Sequence, residues 1–302
     1  MKSLSNSKVL GYVRFLLKRL LYTHQVKKIL AVDRIPSNAL FLIDGYQFLN
    51  RILENSNHHI YIDEYYVKLL VKNIIIVLEN YEDLYVADEI FVKNDYQIDD
   101  MVGNTIVIDV GMHVGMASLF FAQQEETQQV YSFEPLPQTY EQALKNILIN
   151  DKNIQDKIKV FNIGLGNTDK IITVDYSYRW KGSVGLMGLS AAMKKNDPNY
   201  KQVKIHIEDV VVHVNTILKR HPKAFIIMKL DCEGAEYEII DRLMETELIH
   251  TIHTFIIEWH ESMALKLLQS LEESGFEVII KGDIRKSNGI IKAINKQHKN
   301  NF

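Results

Sequence analysis

Hydrophobic and polar residues follow two different patterns along the chain, with a change near residue 100. Beyond this point, short β-branched runs alternate with amphipathic segments, which is typical of a doubly wound, mostly parallel α/β sheet. The predicted strands are Thr105–Val110, Gln129–Phe133, Ile158–Ile163, Phe225–Leu230, Thr254–Trp259, Phe276–Lys281 and Gly289–Asn295. The predicted helices are Val114–Gln124, Pro137–Asn150, Val211–Lys219, Tyr237–Glu245 and Met263–Ser274. Only residues 282–288 separate the last two strands, so we expect these strands to pair antiparallel.

Residues 1–95 are predicted as a mainly helical N-terminal extension or cap, and residues 96–302 as the main domain. One helix is predicted to begin at Asp63-Glu64 and to run through Val77. The acidic, aromatic-rich stretch from Glu79 to Asp100 is predicted to form short strands or turns.

Positive charge is concentrated at the start of the chain. Residues 1–35 carry eight Lys or Arg and one Asp, a net +7, so the remaining residues carry −10 of the total −3. Apolar residues there recur at helical spacing: Val9, Tyr12, Val13, Leu16, Leu17, Leu20 and Leu21. This basic amphipathic helix suggests contact with a membrane surface or an acidic partner. The favoured alternative is packing on the chain's own acidic body, or against a second subunit in a homodimer.

The composition excludes several kinds of site and several classes of protein. The single cysteine, Cys232, excludes an internal disulfide and a multi-cysteine zinc site, and it fits a reducing cytoplasm. No apolar run is long enough to span a bilayer. The overall charge gives no general attraction to nucleic acid, so no nucleic-acid partner is expected.

A glycine-rich turn follows the first predicted strand of the main domain. It reads Asp109-Val-Gly111-Met-His113-Val-Gly115, and Glu134-Pro135 ends the next strand. Glycines let backbone amides approach a ligand closely, and an acid at the end of the second strand accepts hydrogen bonds from ribose hydroxyls. This arrangement predicts a nucleoside cofactor site.

Polar residues also follow the other predicted strands, and the carboxyl ends of parallel strands meet at one edge of a sheet. These residues are Asn162-Ile163, Asp231 with Glu233, and Glu258 with His260. Because Lys229 ends a buried strand, we expect it to pair with a nearby acid. Glu236 falls in the first helical turn, where a negative charge is favoured.

Glu258 and His260 point to the same side of their strand. A histidine can remove a proton near neutral pH, as an attacking hydroxyl requires. The alternative is that His260 only hydrogen-bonds to a carboxylate. A divalent-cation site formed by Asp231, Glu233, Glu258 and His260 is a less favoured alternative, and no metal is predicted.

Residues 171–209 interrupt the alternation. Ile171–Tyr176 is predicted as an extra strand, and the small-residue stretch Gly182–Ser190 as a substrate lid or, equally, a surface connection.

At these positions the chain resembles the FkbM family of S-adenosylmethionine-dependent methyltransferases, over roughly residues 100–295. The similar blocks are Ile108–Gly115, Phe133–Pro135, Asn162–Gly166, Lys229–Glu236 and Glu258–His260. The resemblance implies a class I methyltransferase fold. This is a Rossmann-like, mostly parallel seven-stranded sheet that ends in an antiparallel hairpin.

The resemblance also implies roles for individual residues. Residues bordering S-adenosylmethionine would be Asp109, Gly111, His113, Gly115, Glu134, Pro135, Asn162, Ile163 and Asp231. The methyl-transfer site would contain His260, Asp231, Glu233 and Glu258, with His260 or Asp231 as the base. The chain departs from the family pattern at Met112-His113, where a small residue and an asparagine are usual.

The acceptor remains open. Family members commonly methylate hydroxyls on sugars or polyketides, and some methylate peptide side-chain nitrogen. We therefore expect a small-molecule, glycan or peptide acceptor. Rival hypotheses are a nicotinamide dehydrogenase, which the absence of Gly-x-Gly-x-x-Gly disfavours, and a non-catalytic cofactor-binding scaffold.

Overall fold

The computed structural model of the protein describes residues 6–98, 101–185, 194, 197, 200–260 and 264–298. Contacts within the chain divide it into two compact units, Met1–Asn94 and Asp95–Phe302. Each unit has its own secondary structure and is described by itself.

The first unit combines helices with a small antiparallel sheet. Its helices are α1 (Asn6–Leu30), α2 (Phe41–Asp44), α3 (Tyr46–Leu53) and α4 (Tyr81–Phe91). Its strands are β1 (His58–Ile62), β2 (Val67–Val71) and β3 (Ile74–Leu78), which pair in that order.

Two predictions for this unit were wrong. The helix predicted from Asp63 to Val77 is the β2–β3 hairpin, in which burial of β2 alternates with a period of two. The stretch predicted as strands or turns contains α4. This helix begins at a capping box, in which the Asn80 side chain accepts from the Asp83 amide and the Asp83 carboxylate accepts from the Asn80 amide.

Helix α1 exposes a run of large apolar side chains. Phe15, Leu16, Leu17, Leu20 and Leu21 are all exposed, whereas Val26 near the end of the helix is buried. The contact with a membrane surface or a second subunit that its sequence suggests stays a prediction. No helix among the described residues has the length and apolarity that crossing a membrane requires.

The second unit is built around a seven-stranded sheet with the order β12-β13-β11-β10-β4-β5-β6. Its strands are β4 (Thr105–Val110), β5 (Thr127–Phe133), β6 (Ile158–Phe161), β10 (Phe225–Leu230), β11 (Thr254–His260), β12 (Phe276–Lys281) and β13 (Asn288–Asn295). The strands are parallel except β13, which pairs antiparallel with both β11 and β12. The expected class I methyltransferase fold with its antiparallel hairpin is therefore confirmed, and the strand limits differ from the predicted ones by at most two residues.

Helices connect these strands. They are α5 (Met116–Ala122), α6 (Pro137–Leu148), α7 (Lys152–Gln155), α8 (Val210–Arg220), α9 (Glu236–Glu245) and α10 (Ala264–Glu273). The sheet side chains Ile108, Val110 and Leu230 join Val214 of α8 and Ile239 of α9 in one buried core. Side chains alternate along a strand, so Asp109 projects from the face opposite to Ile108 and Val110.

The insertion after β6 forms a second sheet of β7 (Gly164–Gly166), β9 (Lys201–Asp209) and β8 (Lys170–Tyr176), in that order. Strand β8 confirms the extra strand predicted over Ile171–Tyr176. Most of the proposed lid, residues 186–190 of Gly182–Ser190, lies outside the described residues. Gly185, just before it, lies against the turn that follows β10, because a Cβ on Gly185 would overlap the backbone oxygen of Glu233.

Candidate active site

The glycine-rich turn leaves the carboxyl end of β4 in a conformation that glycine favours. Gly111 has φ +81° and Gly115 has φ +85°. The amides of Gly111 and Met112 both donate to the Phe133 carbonyl, at 3.0 and 2.9 Å, which ties the turn to β5. A Cβ on Gly111 would overlap the backbone carbonyl of Asp231 at the end of β10. The turn therefore passes directly against the segment that carries the acidic residues.

Glu134 secures this turn from the neighbouring strand end. Its buried carboxylate accepts from the amides of His113 and Leu136, each at 2.9 Å. Burial raises the pKa of Glu134 to about 7, although the two amides and the Lys229 charge act in the opposite direction. The predicted hydrogen bond to a ribose stays a prediction.

Two further predicted cofactor residues lie beside Glu134. The Asn162 side chain donates to the Glu134 carbonyl at 2.9 Å. The Pro135 ring lies close to Gly164, the first residue of β7. Ile163 is partly buried and packs against the central core. The structure thus places these residues at the same edge of the sheet. Their contact with a cofactor stays a prediction.

Lys229 connects the glycine turn with the acidic segment. Its ammonium donates to the Gly111 carbonyl at 2.6 Å and lies 3.2 Å from an Asp109 oxygen and 3.3 Å from an Asp231 oxygen. Burial alone would lower the pKa of Lys229, but the carboxylates of Asp109 and Asp231 outweigh it and raise the pKa. The expected pairing with a nearby acid is confirmed, and Lys229 is a permanent cation at physiological pH.

Asp109 lies underneath the turn. Its side chain is fully buried, and the Ser118 hydroxyl of α5 donates to its second oxygen at 2.6 Å. Because both carboxylate oxygens have partners within the protein, Asp109 supports the turn from inside. Contact between its side chain and a cofactor stays a prediction.

His260 lies among three carboxylates. Its Nδ1 donates to Glu236 at 3.0 Å. On the other side of the ring, Nε2 lies 3.5 Å from a Glu233 oxygen and 3.8 Å from an Asp231 oxygen. The imidazole is only 15% exposed, so these charges act through little water.

Glu236 organises this cluster. It is fully buried and accepts from the amides of Cys232 and Gly234, both at 2.8 Å, as well as from His260. It therefore fixes both the turn that carries Asp231 and Glu233 and the orientation of the His260 ring. From the sequence, Glu236 was expected only to place a favourable negative charge at the start of α9.

The carboxylates control the protonation of His260. Burial alone would lower its pKa, but the hydrogen bond to Glu236 and the charges of Glu233, Glu236 and Asp231 raise it to about 10. The pKa of Asp231 is lowered, because the charges of Lys229 and His260 outweigh the effect of burial. His260 is thus an imidazolium at neutral pH, and a base role requires a change in the surrounding charge.

Two more residues belong to the candidate site, one that the sequence predicted and one that it did not. Glu258 is partly buried on β11, two residues before His260, and its catalytic role stays a prediction. The Tyr96 hydroxyl donates to Asp231 at 3.1 Å. The sequence did not predict this contact, because residue 96 precedes the region that resembles the FkbM family. Within the described part of the chain, no three His, Cys, Asp or Glu residues are arranged to hold a metal ion.

Comparison with known proteins shows the family of this chain. The sequence model described as "Methyltransferase FkbM domain" matches residues 109–278. Methyltransferase sdnD from Sordaria araneosa is 22% identical over 220 residues, covering 65% of this chain and 83% of that protein. Methyltransferase 1 from Beauveria bassiana (strain ARSEF 2860) is 24% identical over 209 residues, covering 65% and 82%.

Among solved structures, the methyltransferase FkbM from Methylobacillus flagellatus KT is 14% identical, with a TM-score of 0.39. The alignment covers 85% of this chain, which spans 60% of that structure's length. The family match extends over more than half of the sequence. The protein therefore belongs to the FkbM methyltransferase family.

Proposed function

We propose that the protein transfers a methyl group from S-adenosylmethionine to a hydroxyl group of a small acceptor of sugar, polyketide or other natural-product type. The observation that carries this proposal is the cluster of His260 and three carboxylates directly beside the glycine-rich turn. Lys229 joins the two features, because it contacts Gly111 on one side and Asp231 on the other.

The residues present fit this cofactor. The turn at Gly111 packs directly against the Asp231 carbonyl, so the glycine-rich turn and the acidic segment border the same place. Carboxylates at neighbouring strand ends favour a cationic ligand. Gly111, Gly115 and Glu134 would hold the nucleoside and amino-acid parts, and Asp231 would face the charged sulfur. When bound, S-adenosylmethionine supplies a methyl group that is already activated on a positively charged sulfur.

The chain then needs to position the acceptor and to remove one proton. Nε2 of His260, between Asp231 and Glu233, is the atom that would take the hydroxyl proton once the imidazolium has lost its own. Glu236 holds Nδ1 and fixes the ring. Correct positioning of the reacting groups is the largest contribution expected here, and a positioned base typically adds about 10²- to 10⁴-fold.

Charge and chemistry support this acceptor class. A hydroxyl loses its proton during methylation, and a histidine held in place by carboxylates can accept that proton. Outside residues 1–35 the chain carries a net charge of −10, which opposes binding of a polyphosphate. This supports a small acceptor rather than a nucleic acid.

Calorimetry with S-adenosylmethionine, S-adenosylhomocysteine and NAD tests the cofactor. We expect both sulfur compounds to bind and NAD not to bind. The reaction is tested by incubation with hydroxylated acceptors and mass spectrometry of the products, which should gain one methyl group on oxygen. Binding of NAD alone would replace the proposal with the dehydrogenase hypothesis, and a methyl group on nitrogen would replace it with the peptide alternative.

A variant pair separates the role of the cluster from general effects. His260→Gln should lower turnover about 10²-fold or more, whereas binding of S-adenosylhomocysteine persists. His250→Gln is the matched control, since His250 also lies beside a glutamate, Glu247, but precedes β11 at its opposite end. Equal activities of the two variants would remove His260 from the mechanism.

A further inference from the structure

Counting the described residues, the cluster around His260 has more negative than permanent positive charge. Asp231, Glu233 and Glu236 all lie within 3.8 Å of the imidazole nitrogens. Among the residues that the structure describes, Lys229 is the lysine that contacts this cluster, and it is shared between Asp231 and Asp109. The proton on His260 adds a second positive charge beside these carboxylates.

We propose that a cationic ligand beside Asp231 and Glu233 displaces the proton from His260, so that His260 becomes a base only when the positively charged cofactor is bound. This inference rests on the proposed function. The cluster then holds one exchangeable positive charge. This charge is either the proton on His260 or the positively charged sulfur of the cofactor.

The geometry places the two charges in competition. Nε2 of His260 faces Asp231 and Glu233, whereas Nδ1 stays bound to Glu236. A cation beside Asp231 and Glu233 reduces the attraction that holds the proton at Nε2, and it repels the imidazolium. The pKa of about 10 in the cofactor-free cluster must then fall, and the proton leaves to solvent.

The same exchange runs in reverse during methyl transfer. As the acceptor oxygen bonds to the methyl carbon and the carbon–sulfur bond breaks, the electron pair of that bond stays on sulfur. The hydroxyl proton passes to Nε2 of His260. The cluster thus loses a positive charge at sulfur and gains one at the imidazole, so its net charge is unchanged across the reaction.

Other groups near His260 do not supply the exchanged proton. The Tyr96 and Tyr237 hydroxyls donate to Asp231 and to the His260 carbonyl, respectively. Burial raises the pKa of Cys232, so its thiol stays neutral. The pKa of Lys229 is also raised, so it keeps its charge. Glu258 lies on the same strand as His260 and adds a further carboxylate.

The test is calorimetry of the full chain in buffers of different ionisation enthalpy, which counts the protons released on binding. S-adenosylmethionine and S-adenosylhomocysteine are the probes, because they differ by one methyl group and one positive charge. At pH 7 to 8 we expect about one proton more to be released with S-adenosylmethionine. Its affinity should also rise about tenfold per pH unit relative to that of S-adenosylhomocysteine, because the bound protein holds one proton fewer.

Variants identify the group that releases the proton. In His260→Gln the difference between the two ligands should disappear. Glu233→Gln keeps the histidine but removes one carboxylate, so the difference should become smaller at pH 8. Equal proton release by both ligands in the unaltered protein would overturn the exchange while the proposed function stands. Failure of both ligands to bind would instead overturn the proposed function.

Discussion

Lys229 and Asp109 are direct neighbours on adjacent parallel strands, and their charged groups meet 3.2 Å apart in the protein interior. Neither side chain is more than 2% exposed. The Lys229 ammonium also contacts Gly111 and Asp231, so one buried cation joins the glycine turn to the acidic segment. This pair is the structural link between the two halves of the candidate site.

Lys229→Met should destabilise the second unit strongly. It leaves Asp109 buried without its countercharge, which typically costs about 3–5 kcal/mol. The free energy of unfolding in urea measures the effect. Asp109→Asn combined with Lys229→Met should recover part of the loss, because the uncompensated charge is then removed.

Lys152→Met is the control for this prediction. Lys152 pairs with Asp156, but both side chains are more than 60% exposed. A surface pair of this kind contributes at most about 1 kcal/mol. Equal losses in Lys229→Met and Lys152→Met would contradict a structural role for the buried pair.

Gly111→Ala should disrupt both the turn and cofactor binding. Its φ of +81° is unfavourable for alanine, and the added Cβ would overlap the Asp231 carbonyl. We expect a loss of at least about 1 kcal/mol in stability and a weaker affinity for S-adenosylhomocysteine. Calorimetry and thermal unfolding measure the two effects.

Gly103→Ala provides the comparison, because nothing lies within 4 Å of a Cβ at that position. It should leave affinity unchanged. If Gly111→Ala bound the ligand as well as Gly103→Ala does, the close approach at the turn would have no part in binding.

The sequence predicted the sheet well because each of its strands contains a short apolar run between segments of different pattern. Strands β4, β10 and β12 have the predicted limits, and a polar residue or a glycine directly follows each of them. The first unit was harder to predict. The apolar run that contains β2 and β3 also fits a helix, and only pairing between the strands distinguishes the two.

The sequence predicted which residues form the candidate site, but not which of their side chains contact each other. Asp231, Glu233 and His260 were identified from their places at strand ends, and the structure brings them together. The protonation of His260 was not foreseen, because it depends on Glu236 reaching back from α9. Distances between side chains on different elements determine such a pKa, and a single sequence does not contain them.

Glu236→Gln should change the pH dependence of the reaction. The amide carries one acceptor oxygen in place of two, so it cannot accept from the Cys232 amide, the Gly234 amide and His260 together. It also removes the charge that helps to raise the pKa of His260. We expect turnover to fall and the His260 pKa, measured by NMR titration, to decrease.

Glu238→Gln is the matched control on the same helix. Glu238 pairs with Lys170 at 2.9 Å instead of with the histidine. It should leave the His260 titration unchanged. A His260 pKa that is the same in Glu236→Gln, Glu238→Gln and the unaltered protein would show that Glu236 has only a structural role.

Glu134 should make the second unit less stable as the pH rises towards 8. Burial raises its pKa from 4.5 to about 7, so the folded chain holds this proton more tightly than the unfolded chain. The stabilisation is fully present below pH 4.5 and is lost as the pH rises through 7. The full change is roughly 3 kcal/mol. Glu134→Gln lacks this titration, so its free energy of unfolding relative to the unaltered protein should improve by roughly 2 kcal/mol from pH 5 to pH 8.

Urea unfolding at both pH values measures this effect. The constant cost of the lost acceptor oxygen in Glu134→Gln cancels, because only the change with pH is compared. Glu125→Gln, at an exposed position, should follow the pH profile of the unaltered protein. If Glu134→Gln also follows that profile, the carboxylate is ionised throughout, and the amides of His113 and Leu136 then outweigh its burial.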